Sequence, residues 1–176
     1  MPTLSGGDKL DAILKELKGK VTKTAELQVG FFEGSTEPDG TSLPMVAAIN
    51  EYGAPSRGQP PRPFFRTAIA KNSHKWGPNL AVALKNNDND STKALAQLGT
   101  EIRDEIKESI NELFDPPLSP VTIMLRGMKS QGVKITGKQV GIAAARVAAG
   151  KTNYGASTKP LIDSATMVDK VDFIVK

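Results

Sequence analysis

The sequence predicts an α+β fold, a single domain over residues 1–176 in which several helices surround a long central helix packed on a small antiparallel sheet, with long extended loops. Three observations predict it. Apolar residues keep helical spacing from Leu95 to Leu113, one short stretch near each end alternates as strands do, and sixteen glycines and twelve prolines mark many turns. A chain of 176 residues can bury one sizeable core but is short for two domains.

Taken in order, Ser5 and Asp8 form a capping box ahead of Leu10, Ile13, Leu14 and Leu17, which fall on one face of an amphipathic helix ending at Gly19. Residues 25–32 read as a strand with Leu27, Val29 and Phe31 on one side, followed by a polar, turn-rich loop over 34–40. Pro44, Ala47, Ala48 and Ile49 open a short helix that stops at Gly53, a residue suited to the left-handed position after a helix. From 53 to 63 the chain carries Gly53, Pro55, Gly58, Pro60, Pro61 and Pro63. Prolines fix φ and push their predecessors out of the helical region, so this loop is expected to be stiff and extended.

Pro63 suits the first position of a helix over 64–86, which Gly77-Pro78 should break or kink into two shorter ones. The polar run NNDNDS at 86–91 is an exposed connection whose Asp90 or Ser91 can cap the next helix. That helix carries Leu95, Leu98, Ile102, Ile106, Ile110 and Leu113 on one face, with Glu101, Asp104, Glu105 and Glu108 among basic residues as a solvated face. It ends at Asp115-Pro116-Pro117, and Ser119-Pro120 supplies an N-cap and first-position proline for a helix over 121–128. Residues 136–149 are alanine-rich and predict a further helix, although Gly137 and Gly141 each cost about 1 kcal/mol against alanine. Over 170–176, Val171, Phe173 and Val175 stand opposed to Asp172 and Ile174 in a closing strand that can pair antiparallel with 25–32.

Composition limits the chemistry. With no cysteine, the chain has no disulfide, thiolate metal site or cysteine nucleophile, and a reducing cytoplasm suits it. No run approaches the ~18 apolar residues of a membrane span, and the N-terminus lacks a signal peptide's apolar core, so no membrane association is expected. A net charge of +4 mildly favours acidic partners or nucleic acid without naming either. Residues 132–138 satisfy G-x-x-x-x-G-K, but Gln139 stands where a phosphate-binding loop needs Ser or Thr, and no buried strand precedes Gly132. His74 is the only histidine and reads as a helix-surface residue. No catalytic residue, metal site or cofactor is expected, and the chain is not read as an enzyme. Arg126, Lys129, Lys134, Lys138, Arg146 and Lys151 form a basic stretch, read first as a solvated face, then as a protein interface, then as a DNA contact.

The most informative stretch is 46–66, VAAINEYGAPSRGQPPRPFFR, where a short helix breaks into a Gly/Pro-stiffened basic loop and reopens as a second helix. That layout describes a surface presented to a partner rather than a pocket for chemistry. The stretch resembles the EYG…P-x-R-P-F-(F/L)-R signature of phage neck and tail-completion proteins, the group containing the minor tail protein Z and virion morphogenesis families. KPLIDSATMVDKVDFIVK, with SPVTIMLRG forty residues before it, resembles the close of the same families. The two pieces lie in the family's order and bracket most of the chain. Ala165 departs from the pattern, which has glycine or a similar turn residue after the Asp-Thr/Ser pair.

The resemblance implies a structural virion protein of the head-tail junction of a long-tailed phage, forming a homo-oligomeric ring that joins tail to head. It implies as partners further copies of itself, a head-completion or connector protein, and a tail terminator or tail tube protein, with incidental contact to genomic DNA. The location it implies is the virion, at the neck or tail top, with host cytoplasm during assembly. On this reading the loop holds Arg57 and Arg62 out toward a neighbouring subunit, Phe64 and Phe65 lock it to the core, Glu51 and Tyr52 anchor the interface, and Arg66 interleaves with them. Residues 127–160 are expected to be flexible or to order on docking. The alternative is a basic DNA-binding module driven by 126–151.

Overall fold

The structure, a computed structural model, describes residues 25–151, 155–162 and 166–176. The amphipathic helix expected from the Ser5–Asp8 capping box to Gly19 lies outside the described residues. Among them the chain runs β1 (Leu27–Gly30), α1 (Leu43–Tyr52), a 3-10 turn (Pro55–Arg57), α2 (Phe64–Asn86), α3 (Ser91–Glu112), α4 (Pro120–Ser130), α5 (Gly137–Ala148), α6 (Thr166–Lys170) and β2 (Asp172–Val175). This is the expected α+β class, helices with one small antiparallel sheet. The chain divides into two compact units: Met1–Gly30, Lys71–Asp104 and Asp172–Lys176 form one, Phe31–Ala70 and Glu105–Val171 the other.

In the first unit β1 and β2 pair antiparallel in the register Leu27 to Val175, Gln28 to Ile174, Val29 to Phe173 and Gly30 to Asp172. Glu26 and Lys176 extend the ladder by exchanging both backbone bonds, at 3.0 and 2.9 Å. A two-stranded ribbon is marginal alone and needs a helix to pack on. Gly99 of α3 provides the approach, since a Cβ there would lie 2.5 Å from Phe173 Cδ2 and 2.8 Å from Leu27 Cδ1. The Arg103 guanidinium stands over the Phe173 ring, 5.9 Å from its centroid.

α2 is a single helix through Gly77-Pro78, contrary to the expected break. Gly77 has no Cβ to clash with the proline ring, and His74, whose carbonyl Pro78 leaves without a helical donor, is exposed, so solvent can meet it. At the following turn Asp88 and Asn89 take positive φ, 53° and 60°, and Asp90 Oδ1 accepts from the N–H groups of Thr92 and Lys93 at 3.0 and 3.1 Å. Asp90 is thus the cap and Ser91 the first helical residue. Asn79 of α2 donates to Glu101 of α3 at 2.6 Å.

In the second unit Leu43, Ala47, Phe64, Ala68, Ile106 and Ile110 are buried. Phe31 meets Phe64 edge-on, with ring centroids 6.2 Å apart. Glu105 is buried too, so it leaves the solvated face that its helical neighbours suggested. α4 starts as its sequence predicts: Pro120 opens it and Ser119 Oγ accepts from the Thr122 N–H at 3.1 Å. Met124 and Met128 pack with Ala143 of α5, flanked by Val121, Leu125, Ile135 and Val147. Gly137 and Gly141 face open space, where no packing demands a side chain. Among the described residues no helix is long and apolar enough to cross a membrane.

Candidate functional site

The site grows from the end of α1. Gly53 takes φ 78°, and a Cβ there would lie 2.8 Å from Pro61 N and 2.9 Å from Gln59 O, so only glycine fits. The following loop is not uniformly extended. Ala54 and Gln59 exchange backbone bonds at 2.9 and 3.1 Å, closing a tight turn in which Gly58, at φ 63°, donates its N–H to Pro55 O. Left-handed Gly58 lets the chain reverse in spite of the prolines, and Arg57 sits exposed on that turn.

Glu51, expected as an interface anchor, is instead only 5% exposed. Its Oε2 accepts from the Phe65 N–H at 2.9 Å, and its Oε1 from the Arg66 N–H at 3.2 Å and from Arg66 Nε at 2.8 Å. These N–H groups belong to the first turn of α2, which lacks intrahelical acceptors and carries the positive end of the helix dipole. A carboxylate from the end of one helix thereby caps the next. Phe64 is buried as expected, its carbonyl accepting from Ser109 Oγ at 2.7 Å.

Tyr52 stays outside at 69% exposure, with the Arg66 guanidinium 5.3 Å above its ring centroid. Phe65 is half-buried and Ile69 exposed. Tyr52, Phe65, Arg66 and Ile69, with Ala47 and Ala48, line a shallow groove of about 240 Å³. Glu51, Tyr52, Phe64, Phe65 and Arg66 are thus brought together around one surface feature. Arg57 and Arg62 are not among them.

Arg62 does not project outward. It is 5% exposed, and its guanidinium donates from Nε to Pro116 O at 3.1 Å and from Nη2 to Pro117 O at 3.4 Å. The reason is that a proline-rich turn offers carbonyl acceptors while its residues donate little themselves. Burial pushes the Arg62 guanidinium below its usual pKa. With Arg57 it lines a second cleft of about 630 Å³, whose wall includes Asn50, Gln59 and Thr122. Asp39 also lines it, 4.0 Å from Lys129 Nζ, and bonds from Thr41 hold its carboxyl below the ordinary value.

Sequence reading also missed Arg126. Rather than joining a solvated basic face, it donates to the carbonyls of Lys159 at 2.7 Å, Pro160 at 2.8 Å and Ile162 at 3.2 Å. The segment it binds precedes Asp163, Ser164 and Ala165, which lie outside the described residues. Lys134, Lys138, Arg146 and Lys151 are exposed, as is His74. The signal for Arg126 was the pairing of SPVTIMLRG with KPLI, two separated stretches that carry one resemblance. Comparisons of the chain with family models, curated proteins and solved structures find no match.

Proposed function

We propose that this chain is a structural protein of the head-tail junction of a long-tailed phage, a neck or tail-completion subunit that forms a ring of identical copies and joins tail to head. The observation that carries this reading is the groove beside α1 and α2. Tyr52, Phe65, Arg66 and Ile69 stay at the surface around it while Glu51 and Phe64 rigidify it from beneath. Aromatic and arginine side chains on a pre-formed support dominate protein interfaces, because little conformational entropy is lost when they are covered. In a ring the groove would meet a different surface of the next copy, the head-to-tail arrangement that closes by rotation. The resemblance of 46–66 and of the C-terminal stretch to neck proteins supplies the biological setting, and neither part of the reading needs a cofactor or catalytic residue.

Electron microscopy of particles from a phage whose copy of this gene carries an early stop codon tests it. Filled heads beside separate, unjoined tails are expected. Normally joined virions would overturn the reading. The alternative, a DNA-binding module, keeps the exposed Lys134, Lys138, Arg146 and Lys151, but Arg126 is committed to backbone carbonyls. Duplex binding that falls steeply with salt would favour that alternative.

A further inference from the structure

We infer that the cleft beside the 53–63 turn binds an acidic segment of a partner protein, with buried Arg62 and exposed Arg57 receiving its carboxylates. The inference does not rest on the groove, whose side chains are different ones.

Arg62 carries it. A guanidinium has five N–H donors in a planar fork. Here the acceptors are the neutral carbonyls of Pro116 and Pro117, which engage Nε and Nη2. Among the described residues no carboxylate pairs with it. A buried charge held only by neutral groups is costly, and an opposite charge that reaches it recovers part of that cost. The desolvation that lowers its pKa is consistent with a charge lacking a counter-ion. Arg57, on the same turn, lines the same cleft and is exposed. A planar fork that matches a carboxylate in two bonds, beside a second arginine, is the arrangement that recognises acidic side chains. At about 630 Å³ the cleft has the size of a ligand site.

Two observations favour a protein acid over nucleic acid. Among the described residues no aromatic ring lines the cleft on which a base could stack. Glu37 and Asp39 line it as well, so a continuous row of phosphates would meet like charge, whereas one or two carboxylates directed at Arg57 and Arg62 would not.

The test is a titration of the full chain at low ionic strength, where screening is weakest, with a fluorescently labelled short peptide of glutamate and aspartate flanked by glycines. Saturable binding is expected, on the order of tenfold weaker in Arg57→Glu and absent for the matching glutamine and asparagine peptide. Arg57 is exposed, so the variant folds. Arg62→Lys, which keeps the charge but not the fork, should also weaken binding, and its helical circular dichroism serves as the folding check. No binding of the acidic peptide, or binding that Arg57→Glu leaves unchanged, overturns the inference. Duplex DNA that binds through Arg57 when the peptide does not would overturn it in favour of nucleic acid.

Discussion

Arg66 closes on Glu51 from two directions: its Nε lies 2.8 Å from the Glu51 carboxylate and its Nη2 lies 2.8 Å from the Glu51 backbone carbonyl. The Phe65 and Arg66 N–H groups reach the same carboxylate, so one acid at the end of α1 fixes the start of α2. The 53–63 turn is held between those two fixed points, and this makes the groove a rigid surface.

The two partners of that pair should differ in importance. Glu51→Ala leaves two helix-start N–H groups without their acceptor in a buried setting, and the unfolding free energy should fall by about 3 kcal/mol. Arg66→Ala removes a side chain that is 56% exposed, and the loss should stay below about 1 kcal/mol. Urea unfolding midpoints of the two variants check this; equal losses would contradict it.

Phe64 and Phe65 should separate stability from assembly. Phe64 is buried against Phe31, and Phe64→Ala should cost about 3–5 kcal/mol in unfolding free energy. Phe65 is half-buried in the wall of the groove, so Phe65→Ala and Tyr52→Ala should leave the chain folded while reducing ring formation. Sedimentation of folded variants reads the outcome, and rings of wild-type size in both would argue against the groove as interface. Replacing Phe64 and Phe65 together should abolish the ring.

Two glycines should respond to alanine unequally. Gly53→Ala imposes positive φ on a side chain whose Cβ meets backbone atoms on both sides, so a loss of roughly 2 kcal/mol or more is expected. At Gly99 the obstructing atoms belong to the side chains of Phe173 and Leu27, which can shift. The ~1–3 kcal/mol of overpacking there is offset by about 1 kcal/mol of helix propensity. Thermal melts should place Gly53→Ala well below Gly99→Ala.

Asp90 predicts a pH dependence. The N–H of Lys93 first, with its charge and the Thr92 N–H, holds the carboxyl below its ordinary value of 3.8. A carboxyl whose pKa is lower folded than unfolded contributes stability above the unfolded value and loses it as pH falls through the folded one. Asp90→Asn keeps a capping oxygen without the titration. Melting temperatures followed from neutral to strongly acidic pH should therefore fall less steeply for Asp90→Asn than for wild type, and parallel curves would refute the assignment.

Elements governed by local rules were legible along the chain. The spacing of Leu95, Leu98, Ile102, Ile106 and Ile110 marked α3 because side chains three and four apart share a face, and Ser119-Pro120 marked the start of α4 because its cap is made within one turn. Gly53 marked the end of α1 for the same kind of reason, a backbone angle that few residues adopt. Alternation over 171–175 marked β2. Where charge is buried depends instead on contacts between distant parts of the chain. Arg62 turns inward to carbonyls 54 and 55 residues away, and Arg126 to one 34 residues away. Glu51 becomes a cap, not an exposed anchor, because α2 begins beside it. Gly99 becomes the point of close approach because Phe173 comes to lie there. The energy of a polar or charged group depends on which acceptors and how much water surround it after folding, and no pattern along the chain carries that information.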